Sequence, residues 1–435
     1  MHALPGAERL AAELAGEPRE WARLANDNPP VLHGQRVEFD PAWDALLALG
    51  MRERLHRPGS QVERAAKFVA LAQVEQGVGC PLSMTHAAHA VFDVPDGWLV
   101  GMSMTERQGG SDVRRNTVRA ERDGDAWSLH GEKWFCSAPQ SDAFLVLAQA
   151  PAGLSCFLVE RGDGFVIERL KNKLGNRSNA SAEIRLEGAP ARLVGEEGRG
   201  VAAIIEMVVR TRLDCVLGST ALMREAVAQA VHWCSGRVAF GKLLVDQPLM
   251  QNVLADLVVE AEAATASSLR LARAFDEREP VARIATAVLK YWVCKRAPAV
   301  VAEALECIGG NGYVDDTSDL PRLYRESPLN AIWEGASNVQ CLDVLRALRR
   351  DPDAAAAFLA ELEDRDRPRV ERALAAADEA GARRLVETMA VALQASLLDG
   401  ELAEAFRARE RFGAFGTLPP SLPLDRVLRG ATFGT

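Results

Sequence analysis

The chain changes texture twice, and this constrains its fold more than any other feature. Up to about residue 90 it is rich in Ala, Leu and Arg, with apolar positions at helical spacing in 42–57 and 61–79. The polar stretch 26–30 breaks that helical run. From Trp98 short β-type runs follow one another, at 98–104, 116–121, 126–130, 143–149, 154–160, 165–170 and 182–187. Asp123-Gly124 and Asp163-Gly164 are turn signals between them. Strands at this spacing, over about ninety residues, predict a compact antiparallel sheet or barrel. Near Gly200 helical spacing returns in long segments, 201–234, 249–276, 281–307 and 335–349, each with a broad apolar face. The stretch 351–418 reads as two further helices, and the Pro/Gly-rich end, 419–435, as poorly ordered. Helices, then strands, then helices is an α+β order rather than an alternating βαβ one. The boundaries fall at 1–97 for a shortened N-terminal helical domain, 98–195 for a middle antiparallel β-domain, 196–350 for a C-terminal helical bundle and 351–435 for a helical tail.

Composition excludes several function classes. The net charge is −9, from 51 basic and 60 acidic side chains, so the chain as a whole is not a nucleic-acid coat. The tail from 351 holds 11 Arg, no Lys and 15 acids, a net of −4. Arg365, Arg367, Arg369, Arg383 and Arg384 could still align on one face, but acids interleave them. No run of eighteen apolar residues occurs, so no membrane span is expected. The first twenty residues lack the apolar core of a secretory leader. Eight cysteines occur without a C-x-x-C pair or Cys/His ligand spacing, which predicts a reduced, cytoplasmic protein with no metal site.

Five segments could carry chemistry, and each also has a plain structural reading. Residues 104–113, MTERQGGSDV, bring hydroxyls, adjacent glycines and an acid together after a strand. Adjacent glycines let backbone N–H groups approach a ligand, but the same residues make a capped turn. Residues 131–137, GEKWFCS, place Phe135 near Ser137, which suits a flat heterocycle with polar edges or an ordinary amphipathic strand. In 237–248, Arg237, Phe240 and Lys242 could form a phosphate clamp with an aryl face, or simply end a helix. GGNGY at 309–313 could cradle a pyrophosphate or turn a helix into a loop; it does not follow a strand, so a Rossmann site is not supported. In 325–338, RESPLNAIWEGASN, Glu334 lies between Trp333 and Gly335, a carboxylate in apolar surroundings. It is a candidate general base or a helix-start acid.

In this order and spacing the five segments resemble the acyl-CoA dehydrogenase family, and more narrowly its AidB-like, alkylation-response branch. The resemblance covers roughly 20–350. It implies an FAD site. Met104, Thr105, Gly110 and Ser111 would meet flavin and coenzyme A, and Phe135 and Ser137 would lie at the flavin's reactive edge. Arg237, Phe240 and Gln247 would reach the FAD of a neighbouring subunit in a homo-oligomer, a dimer or tetramer. Gly309, Gly310 and Gly312 would form the pyrophosphate or adenine loop, with Trp333, Gly335 and Asn338 also at the cofactor. Ser111 and Arg212 would face the substrate, an acyl-CoA thioester, and Glu334 would be the catalytic base. Some members place the base just before the family arginine matched by Arg212; here that position is Thr211, which is no acid.

The implied reaction is α,β-dehydrogenation, with the α-proton going to Glu334 and the β-hydrogen leaving as hydride to flavin N5. The pattern departs from the family at Glu306, at Ala336 and at Gln247, which comes one residue early. Only 93–97 join the 85–92 helix to the first strand, where the family has further helical chain around the acyl pocket. The branch is also associated with DNA, so an alternative is an alkylation-response flavoprotein that binds or protects DNA with little turnover.

Overall fold

In a computed structural model of the chain, residues 4, 6–124 and 126–408 are described. The N-terminal part holds α1 (Glu8–Leu14), α2 (Glu17–Asp27), β1 (Val31–His33), β2 (Arg36–Glu38), α3 (Pro41–Arg52), α4 (Gln61–Val74) and α5 (Gly79–Ala88). Local chemistry starts these helices. Asp40 caps α3 by accepting the Ala42 N–H at 2.9 Å, with Pro41 at the first helical position. Ser60 caps α4 by accepting the Glu63 N–H at 3.3 Å. The polar break after α2 leads not straight into a helix but into the β1–β2 hairpin. Its strands are three residues long, too short for alternation to declare itself. Leu32 and Val37 pack on the core of the main sheet, and Gln35 exchanges hydrogen bonds with the Ile167 backbone.

The middle part holds β3 (Val100–Ser103), β4 (Arg119–Asp123), β5 (Ala126–Ser137), β6 (Ala143–Ala150), β7 (Gly153–Glu160), β8 (Phe165–Leu170) and β9 (Ser181–Val194). The pairings β4–β5, β5–β9, β9–β7 and β7–β6 are antiparallel. A single β4–β6 pairing closes the ring, so the sheet is barrel-like. That pairing and β3–β6 are the parallel ones. The two runs expected at 126–130 and 131–137 are one strand. It is bulged against β9 at 129–130 and again between Lys133 and Cys136.

The remainder is α6 (Gly200–Gly236), β10 (Val238–Ala239), β11 (Lys242–Leu243), α7 (Pro248–Asp276), α8 (Ala282–Ile308), α9 (Leu320–Glu326) and α10 (Ser337–Arg350). The tail adds α11 (Pro352–Ala360), α12 (Arg367–Ala375), α13 (Ala382–Ser396) and α14 (Gly400–Ala408). These are four helices where two were expected. Prolines at the starts of α11 and α12 and short polar breaks divide a stretch whose Ala/Glu/Arg composition reads as continuous. The end expected to be poorly ordered, 419–435, lies outside the described residues.

One hydrophobic core runs through α3, α4, α6, α7, α8 and α13, so the N-terminal helices and the tail share it with the bundle. Trp292 of α8 donates to the Gln394 side chain of α13 at 2.9 Å inside that core. Among the described residues no helix is long and apolar enough to cross a membrane. All eight cysteines are buried and free.

Candidate active site

The second bulge of β5 builds one wall. It takes Trp134 and Phe135 out of register with β9, and the Trp134 N–H turns instead to the Thr105 carbonyl at 2.8 Å. Strand β5 is thereby laced to the loop after β3, and Thr105 lies beside the residues leading to Ser137. A buried ion pair fixes that loop. Lys133 Nζ donates to Glu106 Oε1 at 2.9 Å and to the Leu147 carbonyl at 2.7 Å. The Glu106 carboxylate also accepts the Thr117 N–H at 2.6 Å, the Thr117 hydroxyl at 2.8 Å and the Val118 N–H at 3.2 Å. Burial draws the Lys133 ammonium down to about 8. Burial alone would raise Glu106, but the Lys133 charge and the Thr117 bonds hold it below the usual carboxylate range.

The opposite wall is the turn 333–335. Glu334 sits in left-handed backbone, φ +58°, which costs a non-glycine residue about 1–2 kcal/mol. Donors around the turn hold it there. Lys290 Nζ, 1% exposed, donates to the Trp333 carbonyl at 2.8 Å and the Gly335 carbonyl at 2.6 Å. Arg212 Nε and Gln340 Nε2 each reach the Glu334 carbonyl at 3.1 Å, and Gln340 also reaches Gly335 at 2.8 Å. The half-buried Glu334 carboxylate accepts one side-chain bond, from the Thr211 hydroxyl at 2.7 Å. Burial raises its pKa, against the opposing pull of that bond and of the Lys290 and Arg212 charges. A raised carboxylate is a stronger base, suited to proton abstraction near neutral pH.

Cys80 of α5 lies where the walls meet. Its thiol is pushed up to about 11 by burial, and it feels both Glu334 and Lys173 while lying beside Ser137 and Asn179. Trp333 and Met104 pack in the same apolar cluster as Cys80, Met84 and Met102. The residues present fit a flavin. Phe135 leaves an apolar ring 48% exposed, with Lys171 Nζ 4.5 Å from its centroid. The nearby Ser137 Oγ meets Ser181 Oγ at 3.3 Å and the Cys80 thiol, and the buried Asn179 Oδ1 has no hydrogen-bond partner among the described residues. An exposed ring beside under-used polar atoms suits a planar group with a polar edge.

Other expected site residues lie elsewhere. Gly110 and Ser111 are on the exposed loop after β3. Gly309 and Gly310 are exposed and face open space, whereas Gly312 packs on the Leu305 backbone of α8. Phe240 is 99% exposed on the β10–β11 turn beside exposed Arg237, and the Gln247 amide closes that hairpin on the Ala239 carbonyl at 3.1 Å. Arg212, expected at the substrate, stays beside the Glu334 turn, donating to the Glu334 carbonyl and pairing with Asp343 at 2.9 Å. Asn338, expected at the cofactor, accepts from Arg383 of the tail at 2.7 Å. Arg365 meets Glu363 and Glu404, and Arg367 turns to the Leu359 and Leu362 carbonyls. Three of the five tail arginines are therefore engaged internally rather than forming a phosphate-binding face. Sequence reasoning missed Lys290, Gln340 and Asp343; a lysine amid the apolar run TAVLKYWVC was the available signal for the first.

Family models match three consecutive stretches: the AidB N-terminal domain at 6–101, the acyl-CoA dehydrogenase middle domain at 101–189 and the acyl-CoA dehydrogenase C-terminal domain at 198–349. The chain is 46% identical to AidB of Escherichia coli K12 over 77% of this chain and 72% of that one. It is 32% identical to acyl-CoA dehydrogenase family member 11 of Caenorhabditis elegans over 73% of this chain and 59% of that one. The crystal structure of Caenorhabditis elegans ACDH-11 in complex with C11-CoA superposes with a TM-score of 0.85 at 26% identity, covering 92% of this chain and 86% of that one. The chain belongs to the acyl-CoA dehydrogenase family, in its AidB-like branch, and is an FAD-dependent enzyme of that family.

Proposed function

We propose that this family member catalyses α,β-dehydrogenation of an acyl-CoA thioester, with Glu334 as the base. The observation that carries the reading is the strained, clamped turn that holds a carboxylate of raised pKa within electrostatic reach of Cys80, which lies beside Ser137. FAD, when bound, supplies the acceptor for the β-hydrogen, which leaves as hydride. Glu334 accepts the α-proton, so the thioester loses one proton and one hydride and becomes the enoyl thioester. Lys290, Gln340 and Arg212 fix the direction of the carboxylate by holding the carbonyls of its own turn. Thr105, Phe135 and Ser137 would hold the flavin. Arg237, Phe240, Gly309 and Gly310 would meet the cofactor of a second copy, because they stand exposed on one chain. A relative crystallised with C11-CoA supports the thioester class.

Purified protein should carry a flavin absorbance band that acyl-CoA bleaches without oxygen. Glu334→Gln should keep FAD and lose bleaching across a panel of short, branched and long acyl thioesters. Bleaching at the parent rate in that variant would move the base to another residue.

A further inference from the structure

A cavity of about 260 Å³ lies between α2, the turn at 175–177 and the segment 315–326, lined by none of the site residues above. Four arginines and four acids line it, so its net formal charge is zero, but the pairing inside it is uneven. Arg23 is engaged by Glu20 at 3.0 Å and Asp27 at 2.9 Å. Arg325 holds Asp315 with bonds of 2.9 and 3.1 Å. Glu326 accepts the Asn176 N–H at 2.6 Å. Asp319 is shared at long range, 3.8 Å from Arg19 and 3.4 Å from Arg322 Nη2.

Two guanidiniums remain. Arg322 is only 8% exposed, and its Nη1 is buried with no hydrogen-bond partner. Arg177 stands across the cavity on the turn and makes no ion pair with the described residues. A buried guanidinium nitrogen without an acceptor is costly, so such groups are ordinarily satisfied. The spare donors belong to two lining residues from different elements, a helix and a turn.

We propose that this cavity is a binding site for a phosphate dianion, free or as a monoester, held by Arg322 Nη1 and Arg177. Phosphate offers acceptor oxygens in several directions, as donors from two elements require, and its negative charge meets Arg177 and the spare Nη1 donor of Arg322, whose Nη2 is 3.4 Å from Asp319. The wall is rigid. Gly175 packs so closely on the Arg325 backbone that a Cβ would collide with it.

The test is calorimetric titration of the FAD-loaded protein with inorganic phosphate and with methyl phosphate, at constant ionic strength set with chloride. Saturable binding of either probe is expected, with affinity falling roughly ten- to a hundredfold in Arg177→Gln, since one charge-assisted contact is lost. A stronger response to methyl phosphate would identify esters as the ligand, and a response to inorganic phosphate alone would identify the free ion; both support the site. Arg177 is exposed, so its variant should fold even if Arg322→Met does not. No binding by the parent protein would overturn the proposal. So would binding that Arg177→Gln leaves unchanged and coenzyme A displaces, which would place phosphate in the thioester site.

Discussion

Glu326 should make the protein less stable as pH rises through neutrality, and Glu326→Gln should remove that loss. The side chain is 3% exposed, and burial with the nearby Glu75 charge pushes its carboxyl up to about 7 from an ordinary 4.5. Arg322, the Asn176 N–H and Lys173 pull the other way without cancelling the rise. The folded state therefore favours the protonated acid. Its contribution is fully present below about 4.5, where both states are protonated, and is lost as pH rises through about 7. At about 1.4 kcal/mol per tenfold, the separation between 4.5 and about 7 is worth about 3 kcal/mol. Glutamine resembles the protonated acid, and its amide oxygen can still accept the Asn176 N–H. Urea unfolding of the FAD-loaded protein should give nearly equal midpoints for parent and variant at pH 4.5. At pH 7 the variant should be the more stable by about 3 kcal/mol. Lys173, drawn down to about 8 by burial, stays mostly charged across this window in the parent. Parallel pH curves for the two proteins, or a variant weaker at pH 7, would refute the reasoning.

Three further perturbations test the site. Thr211→Val removes a bond that lowers the Glu334 pKa, so the alkaline rise in kcat/KM should move to higher pH; an unmoved profile would exclude Glu334 as the titrating base. Lys133→Met strands Glu106 as a buried, unpaired acid and should cost about 3–5 kcal/mol, read as a fall in the unfolding midpoint with loss of flavin; an unchanged midpoint would show that the pair is not what fixes the loop. Phe240 occupies the first left-handed position of a two-residue hairpin turn, φ +52°, where Asn is at ease. Phe240→Asn should leave chain stability equal or higher by about 1 kcal/mol while reducing assembly and FAD retention, measured by light scattering and absorbance; unchanged assembly and FAD content would mean that the ring meets no second copy.

Long elements were legible because their signals are local. Helices α6, α7 and α8 differ from the expected segments by at most two residues at either end, since a sustained apolar face needs no partner to be seen. The β1–β2 hairpin was not, because three-residue strands carry no measurable alternation and depend on Gln35 meeting β8 far along the chain. The bulge at Lys133–Cys136 was invisible for a related reason. It is defined by what β9 pairs with, and β9 lies some fifty residues away. That bulge is nevertheless what frees the Trp134 N–H for Thr105.

The same distinction separates the two kinds of residue at the site. Glu334, Ser137 and Thr105, proposed to meet cofactor or substrate, stand in recognisable local contexts, because their signal lies in their immediate neighbours along the chain. Lys290 is more than forty residues from the carbonyls it holds, and only the crossing of α8 behind the turn brings it there. A left-handed glutamate is unfavourable alone and persists because Lys290, Gln340 and Arg212 over-determine it. Asp343 then fixes Arg212 from α10, with Arg283 of α8 on its other side at 2.8 Å. The position of the Glu334 carboxylate, the proposed base, is thus a property of how α6, α8 and α10 cross. A core substitution that shifts α8 should therefore lower activity before it lowers stability.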